Sequence, residues 1–226
     1  QVLAQPELAG MDLIIGPVYK SGAKLLSRYA RDDQIACVNP LSQDEELVLE
    51  NPWHYLFAPS AATQGRVAAQ FAANAFGLGR PAILLNEDGY DDAAFATAYK
   101  VTYEALGGKF SATRHFNAED AAATSAAFTG LDLVGAGHVM VASDNRHTGA
   151  VALAALRATA PGSARPPIVC PSAWLENPRL DLGQLSGNLY FVQSKYFDEN
   201  APGFRRFRQL HLQSQHLPPS VYASQG

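Results

Sequence analysis

Basic clusters, cysteines and long apolar runs are all scarce in this sequence, and each scarcity closes off a class of protein. Lys and Arg number 17 against 21 Asp and Glu, a net charge of -4, whereas a nucleic-acid surface needs clustered positive charge. The one basic knot, Arg205, Arg206 and Arg208, falls in a helix-like stretch and reads as a solvated face. No apolar run approaches the roughly 20 residues of a membrane span. Gln1 opens the chain with no Met and no basic-then-apolar leader, a start that a processed chain would share. Only two cysteines occur. Cys37 (QIACV) and Cys170 (PPIVCP) each lie inside an apolar run, as buried free thiols do, rather than in a disulfide or metal pattern.

Catalytic signatures are missing as well. There is no G-x-S-x-G elbow, P-loop or C-x-x-C, and the Gly-rich pieces are too short for a dinucleotide fingerprint. Ser21-Gly22-Ala23-Lys24, Ser143-Asp144-Asn145 and His147-Thr148-Gly149 mimic the three motifs of penicillin-recognising serine enzymes. The third stands only two residues after the second and begins with His, so the likeness is set aside. His211 and His216 are five residues apart and fall on different helix faces, which argues against a metal pair. His54, His115 and His138 occur singly in strand-like runs and read as hydrogen-bonded structural histidines. The sequence therefore points away from an enzyme and from any cofactor or metal.

What is present is an alternation of short apolar runs with helical patterns, and 47% hydrophobic residues suffice for real cores. The clearest unit is Pro81 to Phe110. Ala82 to Leu85 is apolar without alternation, as in a parallel strand covered on both faces. A helix follows, capped by Asp91 or Asp92, with Phe95, Ala98, Val101, Ala105 and Leu106 as its apolar stripe, and Gly107-Gly108 ends it. Similar reasoning predicts strands at 11–17, 34–40, 53–59, 109–116, 138–142, 167–170 and 189–192. Helices are expected at 3–10 (a tail), 23–31 with Leu25, Leu26 and Tyr29 on one side, 63–76, 120–133, 149–160, 180–185 and 204–214. In the last, Phe204, Phe207, Leu210 and His211 should face inward. The regular alternation from 64 to 193 predicts a doubly wound α/β domain.

Ligands of open parallel sheets sit beyond the carboxyl ends of the strands. Three loops stand there: Gly16 to Gly22, Asn39 to Gln43, and Asn86-Glu87-Asp88-Gly89-Tyr90-Asp91. The first two precede or face helix starts, where free N–H groups suit a carboxylate or phosphate, and ordinary turn chemistry explains them equally well.

Taken together, DLIIGPVYKSG, IACVNPLS, YLFAPSAATQGR, AILLNEDGYDDA and PSVYASQG resemble type I periplasmic binding proteins of the branched-chain amino acid binding class, nearest the Bacteroidetes receptor-type branch, over essentially the whole chain. The resemblance implies two α/β lobes, each a doubly wound, mainly parallel sheet, closing by a hinge on a small polar ligand, amino acid-like or a small organic acid. Lobe I would be 1–58 continued by 195–226, and lobe II 59–194, with crossings near Ala58 to Ser60 and Ser194. Two strand-helix units that relatives carry first, on the order of 60 residues, would be missing, leaving DLIIGP as an open apolar edge of an incomplete first lobe. A longer parent protein is the expectation.

Ligand-binding positions carry over by loop. They are Lys20 or Ser21 beside Tyr19, then Leu41, Ser42 and Gln43, then Tyr90 as an aromatic lid, Asp144 or Asn145, and Ser172. Amino acid binders place an acid at the Ser172 position, so ammonium recognition here would fall to Asp144. Trp174 either stacks on the ligand or fills the cleft wall. The implied location is periplasmic or extracytoplasmic, with room for a lipid anchor ahead of Gln1, and the implied partners are ABC transporter membrane subunits or another envelope protein. A ligand-free interaction domain of the same fold is the alternative, marked by a cleft plugged with side chains such as Trp174, Tyr19 or Tyr90.

Overall fold

The computed structural model describes residues 10–17, 20–88, 90–117, 119–159, 165–177, 188–194 and 198–219. The expected helix at 180–185 and residues 3–9 of the expected helical tail lie outside them, as does the stub after residue 219. Two compact units are distinguished, Gln1–Val192 and Gln193–Gly226.

The first unit holds two parallel sheets. The smaller comprises β1 (Leu13–Ile15), β2 (Ala36–Asn39) and β3 (His54–Leu56) in that order, with α1 (Lys20–Asp32) between β1 and β2. β1 is the edge expected from the sequence, and Leu13 and Ile15 are 49% and 73% exposed. The buried face of α1 is Ala23, Leu26, Ser27 and Ala30, spaced three and four apart. Leu25, expected on that face, is exposed.

The larger sheet has the order β5-β4-β6-β7-β8. Its strands are β4 (Ala82–Glu87), β5 (Phe110–Phe116), β6 (Val139–Ala142), β7 (Ile168–Pro171) and β8 (Leu189–Val192). All pairings are parallel. The helices are α2 (Ala61–Phe76), α3 (Tyr90–Ala105), α4 (Ala121–Phe128) and α5 (Thr148–Thr159). On one face α2 and α3 cover Ala82, Leu84, Met140 and Val169. On the other, α4 and α5 cover Ile83, Leu85, Val139, Val141 and Ile168. β4 is buried from Ala82 to Asn86, which explains its unbroken apolar run.

Three expectations change. α3 starts at Tyr90, so Asp91 and Asp92 lie in its first turn instead of capping it. Its buried stripe is Phe95, Ala96, Tyr99 and Tyr103, while Val101 and Leu106 are exposed. Two tyrosine rings bury more area than Val and Leu, and their hydroxyls find partners at His138 Nε2 and the Gly77 carbonyl. Gly107 is left-handed at φ 95° as expected, but Gly108 is fixed by packing: a Cβ there would meet the Tyr103 ring at 2.2 Å. The buried histidines are also less satisfied than expected. Neither ring nitrogen of His54 has a partner, and His138 Nδ1 has none.

In the second unit, α6 (Pro202–Gln215) buries no residue. Leu210, expected inward, is 56% exposed, while Arg205, Arg206 and Arg208 form the solvated face.

α2 and α3 touch through small residues. Ala61, Gly65, Ala68, Ala69 and Ala72 are buried, whereas Val67 and Phe71 turn outward. A Cβ at Gly65 would lie 2.2 Å from the Phe95 carbonyl oxygen. Gly65→Ala is expected to force the helices apart and cost about 2–3 kcal/mol, as overpacking does, read by urea denaturation. No loss of stability would show that the helices have slack at this seam.

Burial lowers the pKa of His138 to about 4 and also lowers that of His54. Both are neutral in the fold but titrate near 6.5 once unfolded. Stability should therefore be fully present above about pH 6.5 and fall as pH drops toward 4, His138 accounting for on the order of 3 kcal/mol. Denaturation midpoints across that window should show the decline, with a shallower slope in His138→Leu. An unchanged slope would rule the histidine out as its source.

Candidate functional site

The loop after β2 is shaped by one side chain. Asn39 is 1% exposed, and its Oδ1 accepts from the backbone N–H groups of Leu41 (3.1 Å) and Ser42 (2.8 Å), a local turn that asparagine favours. Ser42 is buried and its Oγ accepts from the Asp44 N–H at 3.2 Å. Gln43 then ties this loop to α2. Its carbonyl accepts from the Ala61 N–H (3.3 Å) and its Oε1 from Gln64 Nε2 (3.3 Å). Ser60 caps α2, accepting from the Thr63 N–H at 3.0 Å, and its hydroxyl donates to Glu45 Oε2 at 3.2 Å. Arg66 holds Glu45 Oε1 at 3.0 Å and Lys24 holds Glu46 at 2.7 Å. An open cavity of about 170 Å³ lies between this loop and the starts of α2 and α3, lined by Gln43, Glu45, Ala61 and Ala94 among others.

In the larger sheet the chain leaves β4 toward the α2/α3 face and leaves β6 toward the α4/α5 face. The two backbones diverge, so the topological switch point falls between the carboxyl ends of β4 and β6, the place where open α/β sheets bind ligands. Glu87 ends β4 and Ser143 follows β6. The buried Ser143 hydroxyl donates to Glu87 Oε2. Ser143 Oγ accepts from the Asn145 N–H at 3.3 Å, and its carbonyl accepts from Trp174 Nε1 at 3.2 Å. Asn86 is 6% exposed and its Oδ1 has no partner. Beyond it, His115 Nδ1 faces Asp88 Oδ1 at 3.3 Å.

The sequence-predicted positions fall at strand ends or helix starts. Lys20 and Ser21 open α1, Leu41 to Gln43 follow β2, Tyr90 opens α3, Asp144 and Asn145 follow β6, and Ser172 follows β7. Tyr19 lies outside the described residues. Trp174 is a correction. It is fully buried in the α4/α5-side core, so its ring is not offered to the cleft. Gly149 lies against it, where a Cβ would meet ring atoms at 2.9–3.1 Å. Asn39, Ser60, Glu87 and Ser143 were missed as site-builders. Asn39 and Ser60 carry local turn and cap signals, whereas the Glu87–Ser143 pair depends on β4 and β6 being neighbours.

Parallel strands that deliver polar loops to one end of each sheet define a ligand-binding α/β class, and comparison with known proteins narrows it. The profile described as periplasmic binding protein matches residues 7–209, and the chain belongs to that family. Similar solved structures include an ABC transporter substrate-binding protein from Desulfitobacterium hafniense, 16% identical with a TM-score of 0.69, covering 100% of this chain and 63% of that one. A branched-chain amino acid transporter substrate-binding protein from Streptococcus pneumoniae, solved with isoleucine, is 15% identical with a TM-score of 0.65, covering 99% and 62%. A solute-binding protein of an ABC transporter from R. palustris, solved with benzoate, is 16% identical with a TM-score of 0.61, covering 95% and 58%. The chain thus spans less than two thirds of each. A search of curated proteins finds no match.

Asn39→Ala should strand two backbone N–H groups and cost about 2 kcal/mol, measured by urea denaturation, while Asn39→Asp, which keeps the acceptor, should recover most of it. Equal losses in both variants would assign the effect to something other than the turn.

Proposed function

We propose that this chain is the ligand-clamping part of an extracytoplasmic solute receptor, taking a small polar molecule, amino acid-like or a small organic acid, for ABC-type uptake or sensing. The observation that carries the reading is the topological switch point between the ends of β4 and β6, bordered by the Glu87–Ser143 pair, in a chain of the periplasmic binding protein family. The isoleucine and benzoate held by two similar structures support a ligand of that size. Lobe I is assigned to 1–58 with 195–226 and lobe II to 59–194, with the hinge at Ala58 to Ser60. Ala58 and Ser60 are buried there, and Ser60 bridges Glu45 and Thr63.

Clamping follows from population shift. A ligand that touches both lobes stabilises the closed arrangement by the contacts the open one lacks. Gln43 from the first sheet and Tyr90 from the second are assigned as opposing contacts, with Lys20, Ser21, Leu41, Ser42, Asp144, Asn145 and Ser172 around them. The reaction is binding alone, with no chemistry on the ligand. Docking of a ligand-free domain to an envelope protein is the competing reading, and the burial of Trp174 removes one of the plugs it would use.

A thermal-shift panel of amino acids, small carboxylates and sugars tests the proposal. Ligand at 100 times its Kd should add about 2.7 kcal/mol to the folded state, and Tyr90→Ala and Gln43→Ala should each weaken the same hit. A folded sample unmoved by the whole panel overturns the receptor reading.

A further inference from the structure

After Glu199 the sequence contains no Asp or Glu, yet it holds Arg205, Arg206 and Arg208, in a chain whose net charge is -4. Positive charge is thus set apart on one element, α6. That element is also short of packing. It is 14 residues long and buries none of them, and a helix of about that length is marginal in water without tertiary support. Phe204, Phe207 and His211 are half-buried and joined by ring contacts at 6.2 and 5.7 Å. Every other residue of the helix is exposed.

The exposed side carries two kinds of group in succession. Arg205, Arg206 and Arg208 occupy the first half, and none of them is ion-paired among the described residues. Leu210, Leu212 and Leu217 follow, all exposed. Arg206 stands one turn before Leu210 and Arg208 one turn before Leu212, so each of these leucines continues a row that an arginine begins. Leu217 is kept beside the helix end. His216 takes the left-handed conformation at φ 58°, and the Leu217 carbonyl accepts from His211 Nδ1 at 3.1 Å. Single exposed apolar residues are ordinary, whereas here three share one helix end with three uncancelled positive charges. Water suits the arginines and leaves the leucines unburied, and a nucleic acid offers phosphates without an apolar layer. A bilayer with anionic headgroups satisfies both sets, its phosphates pairing with guanidinium groups and its acyl boundary taking the leucines.

We propose that the exposed side of α6 docks on an anionic membrane surface, with Arg205, Arg206 and Arg208 on lipid phosphates and Leu210, Leu212 and Leu217 dipping below them. The inference goes beyond the receptor reading and does not depend on it, since α6 carries none of the residues assigned to the ligand.

Co-sedimentation of the unaltered chain with vesicles tests this. Vesicles of phosphatidylglycerol and phosphatidylcholine in equal parts should bind it at least about tenfold more tightly than phosphatidylcholine alone, and salt at about 0.5 M should remove most of that preference. Replacing all three arginines by glutamine (Arg205→Gln, Arg206→Gln, Arg208→Gln) should weaken binding to the mixed vesicles on the order of 100-fold. Leu210→Ser with Leu212→Ser, which keeps the charge, should weaken it by about tenfold or more. Every altered side chain is exposed, so urea midpoints should match that of the unaltered chain. Equal binding to the two kinds of vesicle, or binding to neither, overturns the proposal, as does an arginine variant that binds like the unaltered chain. A leucine variant that binds undiminished overturns the docking geometry, because charge alone would then hold the chain. A dimer that forms without lipid and is dispersed by the leucine changes would assign this side of α6 to a second copy and overturn the lipid assignment.

Discussion

The burial of β4 on both faces is the constraint from which the larger sheet follows. Five consecutive positions, Ala82 to Asn86, have no access to solvent worth the name, so helices must cover both sides and every backbone group must find a ladder partner. Neighbours β5 and β6 supply the ladders, and α2 with α3 and α4 with α5 supply the cover. A central first strand with successors on either side has a further geometric effect. The chain must leave it toward one face and leave its neighbour toward the other, so a crevice opens at their carboxyl ends without any residue being chosen for it. The switch point is in this sense a by-product of covering β4, and only its lining is left for the sequence to specify.

Much of that scheme is readable in one dimension. Short apolar runs bounded by Pro and Gly gave each strand of the larger sheet to within a few residues, because a strand buried on both faces has no polar positions to confuse the pattern. Helix faces were harder. The α3 stripe was placed on Phe95, Ala98, Val101, Ala105 and Leu106; Phe95 is buried, but beyond it the buried residues are Tyr99 and Tyr103, with Val101 and Leu106 exposed. Tyrosine ranks low on hydrophobic scales, and only the arrival of His138 and the Gly77 carbonyl next to those hydroxyls makes their burial favourable. The α2 seam is misleading in the opposite way. Val67 and Phe71 look like core, but the buried seam toward α3 is built of alanines around Gly65, where not even a Cβ fits against the Phe95 carbonyl.

The site divides along the same line. Groups that act within a few residues of themselves, such as Asn39 on Leu41 and Ser42, or Ser60 on Thr63, follow from turn and cap chemistry and are visible to a careful reader. Groups that act across the sheet are not. Ser143 is 56 positions from Glu87 and 31 from Trp174, and nothing in the spacing of SDN or of NEDG says that β4 and β6 are adjacent. Trp174 shows how far this can mislead. An aromatic residue just after a strand end suggests a ligand platform, whereas its neighbours Gly149 and Ser143 make it a buried brace.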